Sequence, residues 1–176
     1  KIHNILVKKN YSLKKPLIIY KITNEKVSNT NINFQLNFDL EESSSIKIIN
    51  FSDGNSEKNF INNLFNFNLD KNAILKNYKI DKKSNTNIKY DYSSITQKEN
   101  SISETFIFSS GSDYIKNEVS CNLEGQYSSA FINGIHLLSK NKHHEIRTNT
   151  NHLYENTKSY QLIKSVIDDS SKSVYQ

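Results

Sequence analysis

Apolar and polar residues alternate without a break over residues 31–40. Ile32, Phe34, Leu36, Phe38 and Leu40 are interleaved with Asn31, Asn33, Gln35, Asn37 and Asp39. A period of two over ten residues places all five apolar side chains on one face of a β-strand. The same reasoning predicts strands over 63–69 (Phe65, Phe67, Leu69), 87–92 (Ile88, Tyr90, Tyr92) and 117–123 (Val119, Cys121, Leu123). Near the start, Ile5 to Val7 and Leu17 to Ile22 read as two short strands joined through Pro16, which sits at a strand start where a missing N–H is tolerated. Residues 159–167 accommodate a helical turn or a strand, and the surrounding pattern favours strand. No segment carries a convincing apolar period of 3.6.

A longer period lies over the short one. Small residues recur at Ser44, Ala73, Ser101 and Ser128, at intervals of 29, 28 and 27 residues, each followed by an alternating segment. Apolar residues at Ile46, Ile48, Ile49 and Phe51 predict a strand whose phase slips by one residue partway along. The slip recurs at Leu75, Asn77, Tyr78 and Ile80, and at Ser103, Thr105, Phe106 and Phe108. Ala130, Ile132 and Ile135 repeat it, with Asn133 at the slip. Polar corners run in step at Asp53-Gly54, Lys82-Lys83, Ser110-Gly111 and Ser139-Lys140. Two corners per constant period are what stacked coils of strand produce, and each coil needs its neighbours to bury its apolar face. Equivalent side chains should stack at the ~4.8 Å strand spacing. The expected interior ladders are Phe65/Cys121, Phe67/Ile95/Leu123 and Ile80/Phe108. A sandwich or barrel of antiparallel hairpins would need tight Asn-Gly or Asp-Gly turns at shorter, irregular intervals. Only Asp53-Gly54 fits that, and glycine is scarce, at 4 of 176 residues.

Composition narrows the function classes. The formal net charge is +5, but lysines are scattered, and Lys14-Lys15, Lys82-Lys83 and Lys140 to Lys142 are short clusters rather than a stripe. Arg147 is the only arginine. This is solvated surface, not the clustered footprint of a nucleic-acid binder. Mean hydropathy is low, at −0.67, yet the aromatic and β-branched patterning is foreign to disordered chains. Cys121 is the only cysteine, so no internal disulfide forms, which suits the cytosol. No apolar run approaches the length of a membrane span. The chain begins at Lys1, has no methionine and ends within a strand-like pattern at Val174-Tyr175-Gln176, as expected of a fragment truncated at both ends.

Candidate chemistry is sparse. His143, His144 and His152 lie within ten residues, with Glu145 among them. His144 and His152 share a strand face, as do His143 and Glu145. There is no third ligand at a fixed spacing for zinc, so the segment reads as a polar, solvent-facing strand. Cys121 is in phase with Val119 and Leu123 and is expected to be buried and inert. Glu41-Glu42 and Asp168-Asp169 are adjacent pairs at corners whose members point to opposite faces, so neither makes an acid/base pair. The asparagines Asn31, Asn33, Asn37, Asn66 and Asn68 belong to an outer face, where stacked amides can form ladders. Serines abound without one being marked as a nucleophile, and no glycine-rich phosphate loop is present.

From Ile115 onward the chain resembles the SufB/SufD family of iron–sulfur cluster assembly proteins, closer to SufD. The resemblance rests on Ile115-Lys-Asn-Glu-Val-Ser-Cys-Asn-Leu123, Ala130-Phe-Ile-Asn-Gly-Ile-His-Leu137, His143-His-Glu145, Asn151-His152, Ser159-Tyr-Gln-Leu-Ile-Lys164 and the closing Val174-Tyr175-Gln176. Lys116, Ser165 and Arg147 depart from it, standing where members tend to carry Arg, Gly and His. The resemblance implies an all-β, right-handed parallel β-helix forming a single core domain over 1–176. It implies a non-catalytic scaffold subunit in a cytoplasmic complex with SufB and the SufC ATPase, with no nucleic acid and no membrane. An iron–sulfur cluster would be handled only transiently, in the full complex. No catalytic, cofactor or metal residue is expected in this chain, and no role attaches to His143, His144 or His152. A SufB-like paralogue, a carbohydrate-active β-helix enzyme with stacked exterior carboxylates, and an exported adhesin are the alternative readings.

Overall fold

The computed structural model describes residues 2–81 and 87–176. Lys1 and the expected Lys82-Lys83 corner lie outside the described residues. One sheet contains β1 (Ile2–Val7), β3 (Asn31–Leu40), β5 (Phe60–Leu69), β7 (Ile88–Gln97), β9 (Tyr114–Leu123), β11 (His143–His152) and β13 (Lys172–Tyr175), in that spatial order. The other contains β2 (Leu17–Thr23), β4 (Ser45–Gly54), β6 (Ile74–Asp81), β8 (Ile102–Ser109), β10 (Ser129–Leu138) and β12 (Lys158–Ile167), also stacked in sequence order. Every described strand pair is parallel. The chain therefore winds as a parallel β-solenoid of about six turns. Among the described residues the only helix is a 3-10 turn, Glu25–Val27.

The long period corresponds to direct stacking. Ser44, Ala73, Ser101 and Ser128 are all buried at one corner. Each hands its carbonyl to the next coil: Ile74 N donates to Ser44 O, Ile102 N to Ala73 O and Ser129 N to Ser101 O, all at 2.9 Å. The preceding residue in each coil has a left-handed backbone, namely Ser43 (58°), Asn72 (58°), Asn100 (56°) and Tyr127 (61°). Short polar residues adopt this conformation at little cost, and tyrosine does so less readily. The fourth corner has its own adaptation in Gly125, where a Cβ would lie 2.1 Å from Glu99 N in the coil below.

The predicted strands are present and 31–40 agrees residue for residue, but most are longer than read: 63–69 lies within Phe60–Leu69, 117–123 within Tyr114–Leu123, and 87–92 becomes Ile88–Gln97. Residues 158–167 are strand. Asp53 and Gly54 end β4 instead of forming a corner.

The phase slip is absent. In β6, β8 and β10 burial alternates strictly, so Asn77, Lys79 and Thr105 point inward with Leu75, Ile107 and Ile132. Ile49, Tyr78, Phe106 and Asn133 form one aligned outward row, and Phe51, Ile80, Phe108 and Ile135 another. The predicted ladders change accordingly. Phe67 and Ile95 are register partners as expected, but Cys121 continues their row, while Leu123 stacks on Gln97 and Leu69. Phe65 stacks on Ser93 and Val119. Ile80 does pair with Phe108, on the outer face. Apolar residues on the outside and polar ones on the inside produced the false slip.

Phe38, Phe65 and Phe67 fill the interior near the small-residue corner, with Phe38 and Phe67 stacked at 5.1 Å between centroids. Such a pair contributes roughly 0.5–1.5 kcal/mol beyond its buried area. Outside the first sheet, Asn66 donates to Asn37 (2.9 Å) and Asn37 to Asn4 (2.7 Å), a short amide ladder on the face expected for these residues.

Candidate functional site

The interior divides into two halves. Near the small-residue corner it is mostly apolar, interrupted by buried Gln97, which accepts a hydrogen bond from Ser103 Oγ at 2.6 Å. Near the opposite corner, inward positions of successive coils are polar, and they form a seam along the solenoid axis. In the second sheet the inward row runs Lys21, Ser52, then Asp81, Ser109, His136 and Ser165. Facing it in the first sheet are Ile61, Lys89, Ile115, His144 and Ser173, and beside them Asn63, Asp91 and Asn117.

At one end of the seam, three ammonium groups share two carboxylates. Lys79, 5% exposed, pairs with Asp91 at 3.3 Å, and Lys89, 4% exposed, pairs with Asp81. Asn63 Nδ2 donates to Asp91 Oδ1 at 2.5 Å. Burial by itself would raise the Asp91 pKa, but Lys79, Lys21 and the Asn63 hydrogen bond outweigh it and hold the carboxyl down at about 2. Lys21 has no ion pair or hydrogen bond among the described residues. The residue is half-buried, with its ammonium 5.2 Å from the Phe65 ring centroid and 5.8 Å from that of Phe34. Burial pulls its pKa down to about 8 against the attraction of Asp91, with Lys79 and Lys89 adding smaller repulsions. Lys79 approaches the same Phe65 ring at 5.1 Å.

At the other end lie two fully buried imidazoles. His144 Nε2 donates to Ser112 O (2.7 Å), which leaves Nδ1 to accept from Ser109 Oγ (2.8 Å). His136 Nδ1 lies 2.6 Å from Ser173 Oγ, which is 2.9 Å from Ser165 Oγ. His136 Nε2 is buried without a hydrogen-bond partner among the described residues. Burial, then repulsion from His144, lowers the His136 pKa to about 4, and burial lowers that of His144 as well.

The three histidines singled out from the sequence do not come together. His143 faces outward, 3.1 Å from Glu145. His152 is exposed and bonded to Thr157 Oγ1 (2.7 Å) and Ser159 Oγ (3.0 Å). His144 departs from the expectation of a solvent-facing strand, because its phase points it into the core. Among the described residues no three His, Cys, Asp or Glu side chains are grouped to hold a metal ion. Cys121 is fully buried as expected, and burial raises its thiol pKa to about 12. No described helix is long and apolar enough to cross a membrane. Lys21, Lys79, Asp81, Lys89, Asp91 and His136 escaped the sequence reading. The signal was available for Lys79, which continues the alternation Ala73, Leu75, Asn77.

Residues 22–176 match the family described as SUF system FeS cluster assembly, SufBD core domain. The chain belongs to the SufBD core-domain family. The match spans β3 to β13 and all but the first five residues of β2, so the polar seam from Ser52 to Ser173 lies inside the family core. Membership connects the chain with iron–sulfur cluster assembly by the SUF system. A comparison with curated proteins gives no match.

Proposed function

We propose that this chain is the core of a SufD-like scaffold subunit that acts in the cytoplasm with SufB and the SufC ATPase, without catalysing a reaction itself. The carrying observation is the family match over residues 22–176 of a continuous parallel solenoid. The chemistry of the side chains supports a structural role. Cys121, the only thiol, is buried with its pKa at about 12, so it offers no thiolate for a cluster. The nascent cluster is cargo of the complex, held by residues other than these.

A solenoid suits the work of a scaffold. Each coil is bonded to the next through the backbone along two sheets, so a load at one end passes along the stack. Such a rod holds distant partner sites in register while an ATPase cycles at its side. Co-expression of the full-length protein with SufB and SufC tests the proposal. A purified assembly containing all three chains, with no cluster bound by this chain alone, is the expected result. A full-length protein that assembles with SufC and a separate SufD, and ligates a cluster itself, would make it a SufB-like paralogue. Failure to retain either partner would remove the scaffold reading.

A further inference from the structure

The two sheets present unlike faces to the outside. The first carries amides and charges, among them Asn37, Asn66, Lys116 and Glu118. The second carries the two aligned apolar rows that begin at Ile49 and Phe51 and run on through β6 and β8, with Ile74 and Ile102 on the same face. β4, β6, β8 and β10 each have a hydrogen-bonded strand on both sides. Their outward side chains are therefore partly exposed because of the way they point, and not because a neighbouring coil is missing. Monomers rarely expose a contiguous apolar patch larger than a few hundred Å². Six strands at ~4.8 Å spacing and four outward rows about 6.7 Å apart make this face on the order of 750 Å². One partner in an interface of standard size contributes about 800 Å².

The charges on this face suit a second copy of the same face. Lys76 and Glu104 are register partners on the two central strands, 2.9 Å apart, with side chains 40% and 41% exposed. We infer that two copies of this chain pack the outer faces of their second sheets together, about a two-fold axis that runs parallel to the strands between β6 and β8. Rotation about that axis lays β6 on β8 of the partner subunit. Lys76 then meets Glu104 of the partner subunit and Glu104 meets the partner's Lys76, which closes a square of alternating charge. In the same register Tyr78 meets the partner's Phe106, Ile80 the partner's Phe108 and Phe51 the partner's Ile135, so apolar side chains oppose one another. An axis through β6 would set Lys76 against the partner's Lys76, so charge selects the axis. Lys47 and Asn133 lie on β4 and β10, toward the rim, where water reaches. Two sheets packed about 10 Å apart with their strands aligned form an ordinary sandwich. Both ends of each solenoid stay free in this arrangement.

Sedimentation equilibrium of the full-length protein alone tests the inference. A dimer with a Kd of about 10 µM or tighter is expected. Phe106→Asp places a charge at the centre of the apolar rows and should weaken the dimer at least about tenfold. Lys76→Glu leaves two carboxylates on each face, and Glu104→Lys leaves two ammonium groups. Each of these variants alone should also dimerise at least about tenfold more weakly. An equimolar mixture of the two should recover the dimer, because opposite charges then meet across the axis. A folding defect in either chain would give no such recovery, and the charge variants keep the inference testable if Phe106→Asp does not fold. A full-length protein that stays monomeric up to about 100 µM would overturn the inference and leave the face to a different partner. A dimer that tolerates Phe106→Asp, or a mixture no more dimeric than its components, would overturn it too. Assembly with SufB and SufC is measured separately, so a failure here leaves the scaffold proposal intact.

Discussion

His136 and His144 meet edge to face inside the solenoid, with ring centroids 5.7 Å apart and an interplanar angle of 89°. They come from neighbouring strands of different sheets, and neither side chain is exposed. Two imidazoles at this distance in a water-poor interior resist protonation.

The consequence is acid sensitivity in a defined window. His136 titrates near 4 in the folded protein and near 6.5 when unfolded, so the unfolded state binds more protons between those values. Stability should be undiminished above pH 6.5 and fall as pH drops toward 4, by about 2–3 kcal/mol from this group. Calorimetric melting in half-unit steps measures it. His136→Phe should flatten the slope between pH 6.5 and 4. A slope that is unchanged in the variant would show that His136 is not its source.

A second, lower window belongs to Asp91. Its carboxyl is held at about 2, below the ordinary carboxylate value of 3.8, so its stabilisation is present above pH 3.8 and lost as pH falls through 2. Asp91→Asn leaves Lys79 and Lys21 without their counter-charge and should cost about 3–5 kcal/mol at pH 7. Adding Lys79→Met to that variant should restore a substantial part. Urea unfolding of the single and double variants measures the coupling.

Two glycines have different reasons to be glycine. At Gly125 a Cβ would meet the backbone of Glu99 and Lys98 at 2.1–2.6 Å, so Gly125→Ala should separate the coils at that corner and cost about 3 kcal/mol or more. At Gly134 the nearest atoms are the tips of Ile146 (2.8 Å) and Ile163 (3.0 Å), which can rotate. Gly134→Ala should cost about 1–2 kcal/mol. Thermal melts of the two variants should keep this order.

Cys121 gives a probe of global opening. With its thiol fully buried and titrating near 12, iodoacetamide at pH 8 should label it only as fast as the solenoid unfolds. Mass spectrometry of a labelling time course checks this, and rapid labelling under native conditions would contradict the packing around the Phe67–Ile95–Cys121 row.

Where the sequence was legible, a local pattern and burial agreed. Over Asn31–Leu40 every second residue is apolar and the partly or fully buried face follows it. The corner residues Ser44, Ala73, Ser101 and Ser128 were legible because a tightly stacked corner admits only small side chains, and they recur at one coil length. The reading failed beyond the supposed slip. It turned Tyr78, Ile80, Phe106 and Phe108 inward because they are apolar, whereas strict alternation puts them outside, with Tyr78 and Phe106 6.3 Å apart between ring centroids, and puts Lys79 inside. The family words near the C-terminal end were legible as a pattern, and the match over 22–176 extends them across the coils where the pattern alone carried less.

The chain by itself determined that strands form, that they turn at fixed intervals and that coils about 28 residues long stack, because alternation and spacing are properties of a linear code. Tertiary structure alone decided that a lysine can be buried at position 79, since its partner Asp91 comes from the opposite sheet. It also decided that His136 faces His144 and that the Lys21 ammonium lies against the Phe65 ring. The physical reason is that burying a charge is tolerable only beside its counter-charge, and that proximity exists only once the coil has closed.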